Sequence, residues 1–337
     1  MKTTIFEQCQ QLFPQWAELD IADFDFDDPK GFSSFTMGIR AKKAVEPAAV
    51  LYRRLEGKEN AILDFDTEKE VFLTLGEAQI AAHCHYYDET CRIESFYQGR
   101  TLQARELFDP ENLRQIADQL YWFHQLRPAS LPQTGFFDLL HNKWGKLAQT
   151  VLEEQLDRFP ANEQQMGIEL RQIYSDETLA KVQRCLPEGP LTFCHNDTYH
   201  GNIMKLDNGE IKLLDFEFSC LNHKTYDFSN LFAETVMRHG QKEYPYFRIA
   251  EPEFGDHQLG LLISYYLGHV MFFSEAGRQA EFQKLLQDTR NMILLSDFKY
   301  AMAAIPLAVE PIQRIRFIPY AYQRFNRFLH AYEQRFG

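Results

Sequence analysis

The chain has few cysteines, and none of them has the spacing of a metal-binding or redox motif. No two are separated by only two residues; the six are Cys9, Cys84, Cys91, Cys185, Cys194 and Cys220. This spacing argues against a zinc ribbon and against a thioredoxin-like motif. Unpaired thiols are typical of a reducing compartment, so we expect a cytoplasmic location.

Long apolar segments and leader-like segments are also missing. The longest apolar run, residues 259–273, contains His269 and is shorter than the roughly 20 residues of a membrane-spanning helix. The first residues alternate between polar and apolar types and include Glu7, unlike a signal peptide. We therefore expect no secretion signal and no membrane insertion, and we interpret the run as a buried helix.

Positive charge is in deficit, with 35 basic against 48 acidic residues and a net charge of −13. Nucleic-acid phosphates would be repelled by this charge, so we expect no nucleic-acid partner, whereas a cationic small molecule would be attracted. The chain contains no tandem repeat, no low-complexity tract and no long Pro/Gly/Ser linker. A length of 337 residues without such a linker predicts two closely associated lobes of unequal size.

The most informative segment that is present is residues 193–202, Phe-Cys-His-Asn-Asp-Thr-Tyr-His-Gly-Asn. Farther along, Asp215 follows a mainly apolar run at residues 211–214, Ile-Lys-Leu-Leu. Between them, residues 207–209 (Asp-Asn-Gly) have the composition of a hairpin turn. A hairpin would fold the strand that ends at Asp215 back beside Asn202. The pattern is typical of a kinase catalytic loop and its metal-binding strand.

Phosphoryl transfer requires the protein mainly to position groups and to neutralise charge. One carboxylate has to orient the attacking hydroxyl and accept its proton, and Asp197 suits this catalytic role. Oxygen ligands have to hold Mg²⁺ against the phosphates of ATP, and Asn202 and Asp215 supply such oxygens. We therefore predict that these two residues bind the metal. A polar turn in some other α/β protein is the alternative explanation of the segment.

The neighbouring residues narrow the family. From Asp215 the chain reads Asp-Phe-Glu where protein kinases have Asp-Phe-Gly, and residues 226–234 read Tyr-Asp-Phe-Ser-Asn-Leu-Phe-Ala-Glu. Together with residues 92–96 (Arg-Ile-Glu-Ser-Phe) and 243–248 (Glu-Tyr-Pro-Tyr-Phe-Arg), this pattern resembles the choline/ethanolamine kinase family. That family is a small-molecule branch of the kinase-like fold, which also holds the aminoglycoside phosphotransferases. The resemblance is strongest around the catalytic loop.

The resemblance implies a bilobal, protein-kinase-like fold of the α+β class. A small β-rich N-lobe would span residues 1–96, and a larger, mostly helical C-lobe would span residues 97–337. The coarse pattern of the chain agrees, because strand-like segments come first and helical segments follow, including one predicted helix over residues 139–158 and another over residues 164–185. The implied activity is direct in-line transfer of phosphate from ATP, with Mg²⁺, to the hydroxyl of an amino alcohol such as choline or ethanolamine. Asp227 is expected to brace the catalytic loop through backbone hydrogen bonds.

On the nucleotide side, the resemblance implies a turn at residues 31–34 that covers the phosphates of ATP. Within this turn we predict that Ser34 binds the nucleotide. A cation is expected at the phosphates from the strand that follows. Alternation allows only one of Arg53 and Arg54 to point inward, and Arg54 aligns best. Glu68 is expected to orient this arginine, with Glu70 as the alternative.

The crossover between the lobes is implied to hold the adenine ring. Glu94, Ser95 and Tyr97 belong to this segment, and we assign them to ATP binding. Backbone groups are expected to make these contacts, so the side chains themselves are not distinctive.

On the acceptor side, the family surrounds an ammonium group with acids and aromatic rings, which attract a cation through charge and cation–π interaction. The resemblance assigns this pocket to Asp197, Glu217, Glu234, His239 and Tyr300. His239 stands where the family has a tyrosine, and Tyr300 and Ala303 align with two family tryptophans. The thinned set of rings favours ethanolamine over choline.

Two alternatives stay open at this point. A kinase of the same fold could act on another small hydroxylated acceptor, such as an aminoglycoside or a sugar-like alcohol. A non-catalytic binding protein could keep the fold, although the presence of Asp197, Asn202 and Asp215 together argues against it. The oligomeric state is left open by the sequence.

Overall fold

The computed structural model describes residues 2–27, 35–55, 63–310, 313 and 315–337. Two helices belong to its N-terminal part: α1 (Lys2–Leu12) and α2 (Phe65–Glu77). They accompany five strands: β1 (Phe24–Phe26), β2 (Thr36–Ala41), β3 (Ala49–Arg54), β4 (Cys84–Tyr87) and β5 (Cys91–Ser95). The strands form one antiparallel sheet in the order β1-β2-β3-β5-β4.

One face of this sheet packs against α1. Val50 and Tyr52 of β3 are buried in a cluster with Ile93 of β5 and Phe6 of α1. Successive side chains of a strand point to opposite faces, so Arg53 is directed away from this cluster.

Helix α2 contains a buried acidic residue, Glu68. Its first turn is capped by Asp64, whose carboxylate accepts the N–H of Thr67 at 2.9 Å. Val71 and Phe72 are buried, and Glu68 lies one turn earlier on the same buried face.

The C-terminal part is mostly helical. Its helices are α3 (Pro110–Gln125), α4 (Phe136–Leu140), α5 (Lys146–Glu154), α6 (Ala161–Leu170), α7 (Asp176–Cys185), α8 (Thr225–Ala233), α9 (Asp256–Leu267), α10 (Glu275–Leu307) and α11 (Phe317–Phe336). Its short strands are β6 (Gly99–Thr101), β7 (Thr192–Cys194), β8 (Ile203–Leu206), β9 (Ile211–Leu213), β10 (Cys220–Asn222), β11 (Met237–His239) and β12 (Phe247–Ile249). They pair as β6-β8-β9, β7-β10 and β11-β12, and α10 packs along α8 and α11.

The predicted α+β class is confirmed, but two predicted helices are divided. Residues 139–158 were expected to form one helix, and a π-helical turn at His141–Gly145 separates α4 from α5. Residues 164–185 divide because Ser175 caps α7, its hydroxyl accepting the N–H of Thr178 at 3.2 Å. A cap residue can start a new helix within an amphipathic stretch.

The apolar run at residues 259–273 is helical only in its first part. Helix α9 ends at Leu267. Beyond it, Met271 and Phe273 are 95% and 111% exposed, so the prediction of a buried helix was wrong for this end of the run. Within the described ranges, no helix has both the length and the apolar composition to cross a membrane.

Trp16 tests the packing of the N-terminal part. Its ring is fully buried against Phe13 and Phe24, and its indole N–H donates to the carbonyl of Pro47 at 3.0 Å. Trp16→Ala should lower the free energy of unfolding by about 3–5 kcal/mol because it leaves a cavity, as measured by denaturant titration. Trp122→Ala is the matched control, since Trp122 is 57% exposed, and about 0.5 kcal/mol is expected there. Equal effects of the two changes would contradict this account of the packing.

Candidate active site

The candidate catalytic loop starts where β7 ends, and a buried carboxylate holds it. Asp227 of α8 accepts the backbone N–H of His195 at 2.9 Å and that of Asn196 at 2.8 Å. Nε2 of His124 lies 3.0 Å from the same carboxylate. Burial raises the pKa of Asp227, but the hydrogen bond and charge of His124 outweigh burial and lower it. The expected bracing of the loop by Asp227 is confirmed.

Asn196 gives the loop its reversal. Its φ is 62°, in the left-handed region that asparagine tolerates better than most residues. Its side-chain nitrogen donates to the carbonyl of Phe218 at 2.9 Å, and its side-chain oxygen accepts from Nδ2 of Asn222 at 2.7 Å. Asp197 therefore follows a reversal that the structure fixes from both sides.

Asp197 is only 8% exposed, and several donors surround its carboxylate. The hydroxyl of Tyr300 donates to Oδ1 at 2.7 Å, and the ammonium of Lys299 contacts the same oxygen. Nδ2 of Asn202 donates to Oδ2 at 2.8 Å. Burial raises the pKa of Asp197, but the Lys299 charge and these hydrogen bonds outweigh burial and lower it. The carboxylate is therefore ionised at neutral pH.

The predicted hairpin brings Asn202 and Asp215 together. Strands β8 and β9 pair in antiparallel register, and Gly209 has a φ of +90° in the turn between them. The N–H of Leu214 donates to the carbonyl of Asn202 at 2.9 Å, and Asp215 is the next residue after Leu214. Asp215 itself has a φ of 63°, which turns the chain out of the strand direction.

The chemistry of this donor set suits Mg²⁺. Asn202 donates from its amide nitrogen to the carbonyl and to Oδ2 of Asp197, at 3.0 and 2.8 Å, so its amide oxygen takes no part in these two bonds and could bind a cation. Asp215 adds a carboxylate, and both ligand types are the hard oxygen donors that Mg²⁺ prefers.

Arg53, and not Arg54, faces these residues. Nη1 of Arg53 lies 3.6 Å from Oδ1 of Asp215, whereas Cζ of Arg54 lies 4.8 Å from the ring centroid of Phe35. The prediction of Arg54 as the inward cation was wrong because Arg54 lies two residues after the buried Tyr52 and shares its side of the strand. Nε of Arg53 is buried without a hydrogen-bond partner in the described part of the chain, so the guanidinium keeps a donor for an anion.

Acidic side chains surround Arg53. Glu68, Glu94 and Glu217 all act on it electrostatically, and together with Asp215 they raise its pKa although burial lowers it. Glu94 also forms a buried ion pair of 2.6 Å with Arg92. Glu217 lies in a turn beyond the end of β9.

Glu70, the alternative to Glu68, has a different environment. Its carboxylate accepts the backbone N–H of Ala129 at 2.7 Å and that of Ser130 at 2.8 Å. These hydrogen bonds lower the pKa of Glu70 and join α2 to the loop that follows α3.

The crossover residues lie at the end of the sheet. The N–H of Ser95 donates to the carbonyl of His83 at 2.9 Å, and the hydroxyl of Ser95 lies 3.0 Å from Nε2 of His85. Burial raises the pKa of the half-buried Tyr97 to about 12. Ser34 lies outside the described residues. The N–H of Ser95 already donates to the carbonyl of His83. Any backbone contacts with adenine would therefore come from residues farther along the crossover.

Glu234 is held by an internal cation. Nη2 of Arg324 lies 2.7 and 3.0 Å from its two carboxylate oxygens, and Nη1 of Arg324 donates to Asp297 at 2.7 Å. Burial raises the pKa of Glu234 to about 6, against the effect of Arg324. His239 is exposed at the end of β11, within electrostatic reach of Arg324.

Sequence reasoning missed two buried cations of the site, Lys299 of α10 and Arg324 of α11, which are 1% and 0% exposed. A signal for Lys299 was present, because Met292, Leu295, Lys299 and Met302 recur at helical spacing on the buried face of α10. A lysine in such an apolar stripe is almost never buried without a charged partner.

Most of the chain matches known proteins of one family. The model of the family described as choline/ethanolamine kinase matches residues 31–329. A choline/ethanolamine kinase of Homo sapiens is 27% identical over 298 residues, which cover 83% of this chain and 72% of that protein.

Solved structures show the same fold. A choline kinase of Cryptosporidium parvum aligns with a TM-score of 0.77 at 19% identity, over 99% of this chain and 96% of that chain. A Plasmodium vivax ethanolamine kinase aligns with a TM-score of 0.69 at 18% identity, over 97% of this chain and 89% of that chain. Since the family model spans far more than half of the sequence, this protein belongs to the choline/ethanolamine kinase family.

Proposed function

We propose that this protein transfers a phosphoryl group from ATP to the hydroxyl of an amino alcohol. Choline and ethanolamine are the candidate acceptors, because the matching family is named for them. The observation that carries this proposal is the arrangement of Asp197, Asn202 and Asp215. A buried, ionised carboxylate is held by an amide whose oxygen could bind a cation, and a second carboxylate follows across the hairpin. An aminoglycoside acceptor has less support, because the matching family model is that of the choline/ethanolamine kinases.

Asp197 is proposed to orient the acceptor. Its Oδ1 already accepts hydrogen bonds from the Tyr300 hydroxyl and the Lys299 ammonium. Its Oδ2 accepts one from the Asn202 amide and retains a lone pair for another donor. The acceptor hydroxyl is therefore expected to donate to Oδ2. Because the pKa of Asp197 is lowered, it is a weak base, and the proton passes to it late, when bond formation has made the hydroxyl oxygen acidic.

The nucleotide is proposed to lie on the other side of this cluster. Asn202 and Asp215 would hold Mg²⁺, which neutralises phosphate charge when bound. Arg53 faces the same place, and its buried Nε is available to donate to a phosphate. Glu68 is proposed to orient Arg53, and the remaining nucleotide contacts are proposed for Ser34, Glu94, Ser95 and Tyr97.

We also propose the division into an N-lobe of residues 1–96 and a C-lobe of residues 97–337. It is supported by the end of the large sheet at Ser95 and by the helices that begin with α3. A cytoplasmic location is proposed because all six cysteines are free thiols.

Asp197→Asn tests the proposed base, because it keeps the shape of the side chain and removes the proton acceptor. kcat in a coupled ADP-release assay should fall about 10²–10⁴-fold, while the Kd for ATP changes little. Asp207→Asn, in the exposed hairpin turn, is the matched control and should leave kcat unchanged. A wild-type kcat in Asp197→Asn would remove this residue from the reaction.

Arg53→Met and Arg54→Met form a matched pair that tests the corrected phosphate contact. Arg53→Met should raise the KM for ATP about tenfold or more, because a hydrogen bond to a charged group contributes about 1.5–3 kcal/mol. Arg54→Met should leave the KM for ATP near the wild-type value. Steady-state kinetics at varied ATP would contradict the assignment if the two variants exchanged these effects.

Asp215→Asn tests the metal site. The Mg²⁺ concentration that gives half-maximal activity should rise by about tenfold or more, the scale on which altered metal sites lose affinity. Titration of Mg²⁺ at a fixed ATP concentration measures it. Glu210→Gln, which changes an exposed acid of the same hairpin, is the control, and an unchanged Mg²⁺ requirement in Asp215→Asn would count against the site.

A further inference from the structure

Two adjacent residues of α10 reach the same oxygen of the Asp197 carboxylate. The hydroxyl of Tyr300 donates to Oδ1 at 2.7 Å, and the ammonium of Lys299 contacts this oxygen as well. The amide of Asn202 donates to the other oxygen, Oδ2, at 2.8 Å. Rotation of the carboxylate out of its plane would break both contacts to Oδ1, so the two residues of α10 direct where Oδ2 points.

Lys299 joins this carboxylate to the backbone of the catalytic loop. Its side chain is 1% exposed, and its Nζ also donates to the carbonyl of Asn196 at 3.1 Å. The same Nζ lies 4.1 Å from the ring centroid of Tyr300 and 4.7 Å from that of Phe218, within the range of a cation–π interaction. A buried charge needs such partners, and together they hold the ammonium at one position beside Asp197.

A second side chain sets the direction of the Tyr300 hydroxyl. Nδ2 of Asn230, on α8, lies 3.3 Å from this hydroxyl and 3.0 Å from the carbonyl of Thr198. An amide nitrogen only donates, so the hydroxyl oxygen accepts from Asn230 and keeps its own proton for Asp197. Asn230 therefore connects Tyr300 to the loop residue that directly follows Asp197.

The ring and the hydroxyl of Tyr300 have different surroundings. Besides Nζ of Lys299, Cζ of Arg324 lies 5.0 Å from the ring centroid, so two cations of the protein lie near the ring. The hydroxyl reaches Asp197 instead. Removal of the hydroxyl alone therefore separates a role in holding Asp197 from the predicted role of the ring in binding the acceptor.

We propose that Lys299 and Tyr300 are positioning residues for Asp197, which turn its Oδ2 toward the hydroxyl of the bound amino alcohol. This inference rests on the proposed transfer from ATP to choline or ethanolamine, and it concerns how fast that transfer occurs. Both residues act through Asp197, so their loss lowers kcat and leaves the KM for the acceptor unchanged. Such losses are large, because a displacement of about 1 Å from the reactive geometry can cost about 10²-fold in rate.

The first test removes one donor at a time and measures ADP release with choline and with ethanolamine. Tyr300→Phe keeps the ring and should lower kcat about tenfold, since a hydrogen bond to a charged group contributes about 1.5–3 kcal/mol. Lys299→Met keeps the length of the side chain and should lower kcat about 10–100-fold. In both variants the KM for each acceptor and for ATP should stay within about twofold of the wild type, as expected when binding in the ground state is unchanged.

The second test repeats both changes in the Asp197→Asn background. A residue that acts through the Asp197 carboxylate has little left to do once that carboxylate is gone, so each change should lower kcat there by less than about twofold. Lys299→Gln replaces Lys299→Met if thermal denaturation shows that the methionine variant does not fold.

Two control variants match the two changes. Tyr322→Phe removes a hydroxyl of α11 that donates to Glu169 at 2.6 Å. Lys284→Met removes an exposed lysine of α10 that pairs with Asp288. Both controls should keep the wild-type kcat.

Three outcomes would overturn the inference while the proposed function stands. One is a wild-type kcat in both Tyr300→Phe and Lys299→Met. Another is a raised KM for the acceptor at unchanged kcat, which would make the two residues acceptor contacts. The third is a full loss of kcat from each change in the Asp197→Asn background, which would show an effect that does not pass through Asp197. Absence of ADP release in the wild type with both choline and ethanolamine would contradict the proposed function, and the inference with it.

Discussion

The contact between the Asp227 carboxylate and two successive backbone N–H groups fixes where the catalytic loop begins. It fixes His195 and Asn196 at the end of β7, so the following reversal presents Asp197 at one position. Hydrogen bonds from Asn202 and from the hairpin are added to that fixed point. Because a charged acceptor in a dry interior strengthens its hydrogen bonds, this buried carboxylate holds the start of the loop firmly.

Buried cations of the protein lie among the acids of the site, although the chain as a whole is strongly acidic. Arg53 lies among the acids of the nucleotide side, and Lys299 and Arg324 lie among those of the acceptor side. The overall charge of −13 is therefore a poor guide to the reaction centre. Recognition there depends on which individual charges are left without an internal partner.

The parts of the site that lie close together in sequence were predictable, and the parts that depend on packing were not. The hairpin and the proximity of Asn202 to Asp215 follow from a turn motif between two apolar runs. The choice between Arg53 and Arg54 depends on which face of β3 packs against α1. The resemblance to the family did not show which face this is. Lys299 approaches Asp197 from about a hundred residues away in sequence, so only the tertiary structure could show that contact. The α+β class was predictable from the order of the segments, but helix interruptions such as the cap at Ser175 were not.

Glu70 constrains how the molecule can open to exchange a nucleotide. Its carboxylate ties α2 to backbone groups of Ala129 and Ser130, although α2 lies between strands β3 and β4 of the sheet in the chain. A hinge motion that separates the sheet from the helical part must either break both of these bonds or leave α2 behind with the helices. In the second case Glu68 would withdraw from Arg53, and this motion would by itself loosen the guanidinium for which we propose a phosphate contact.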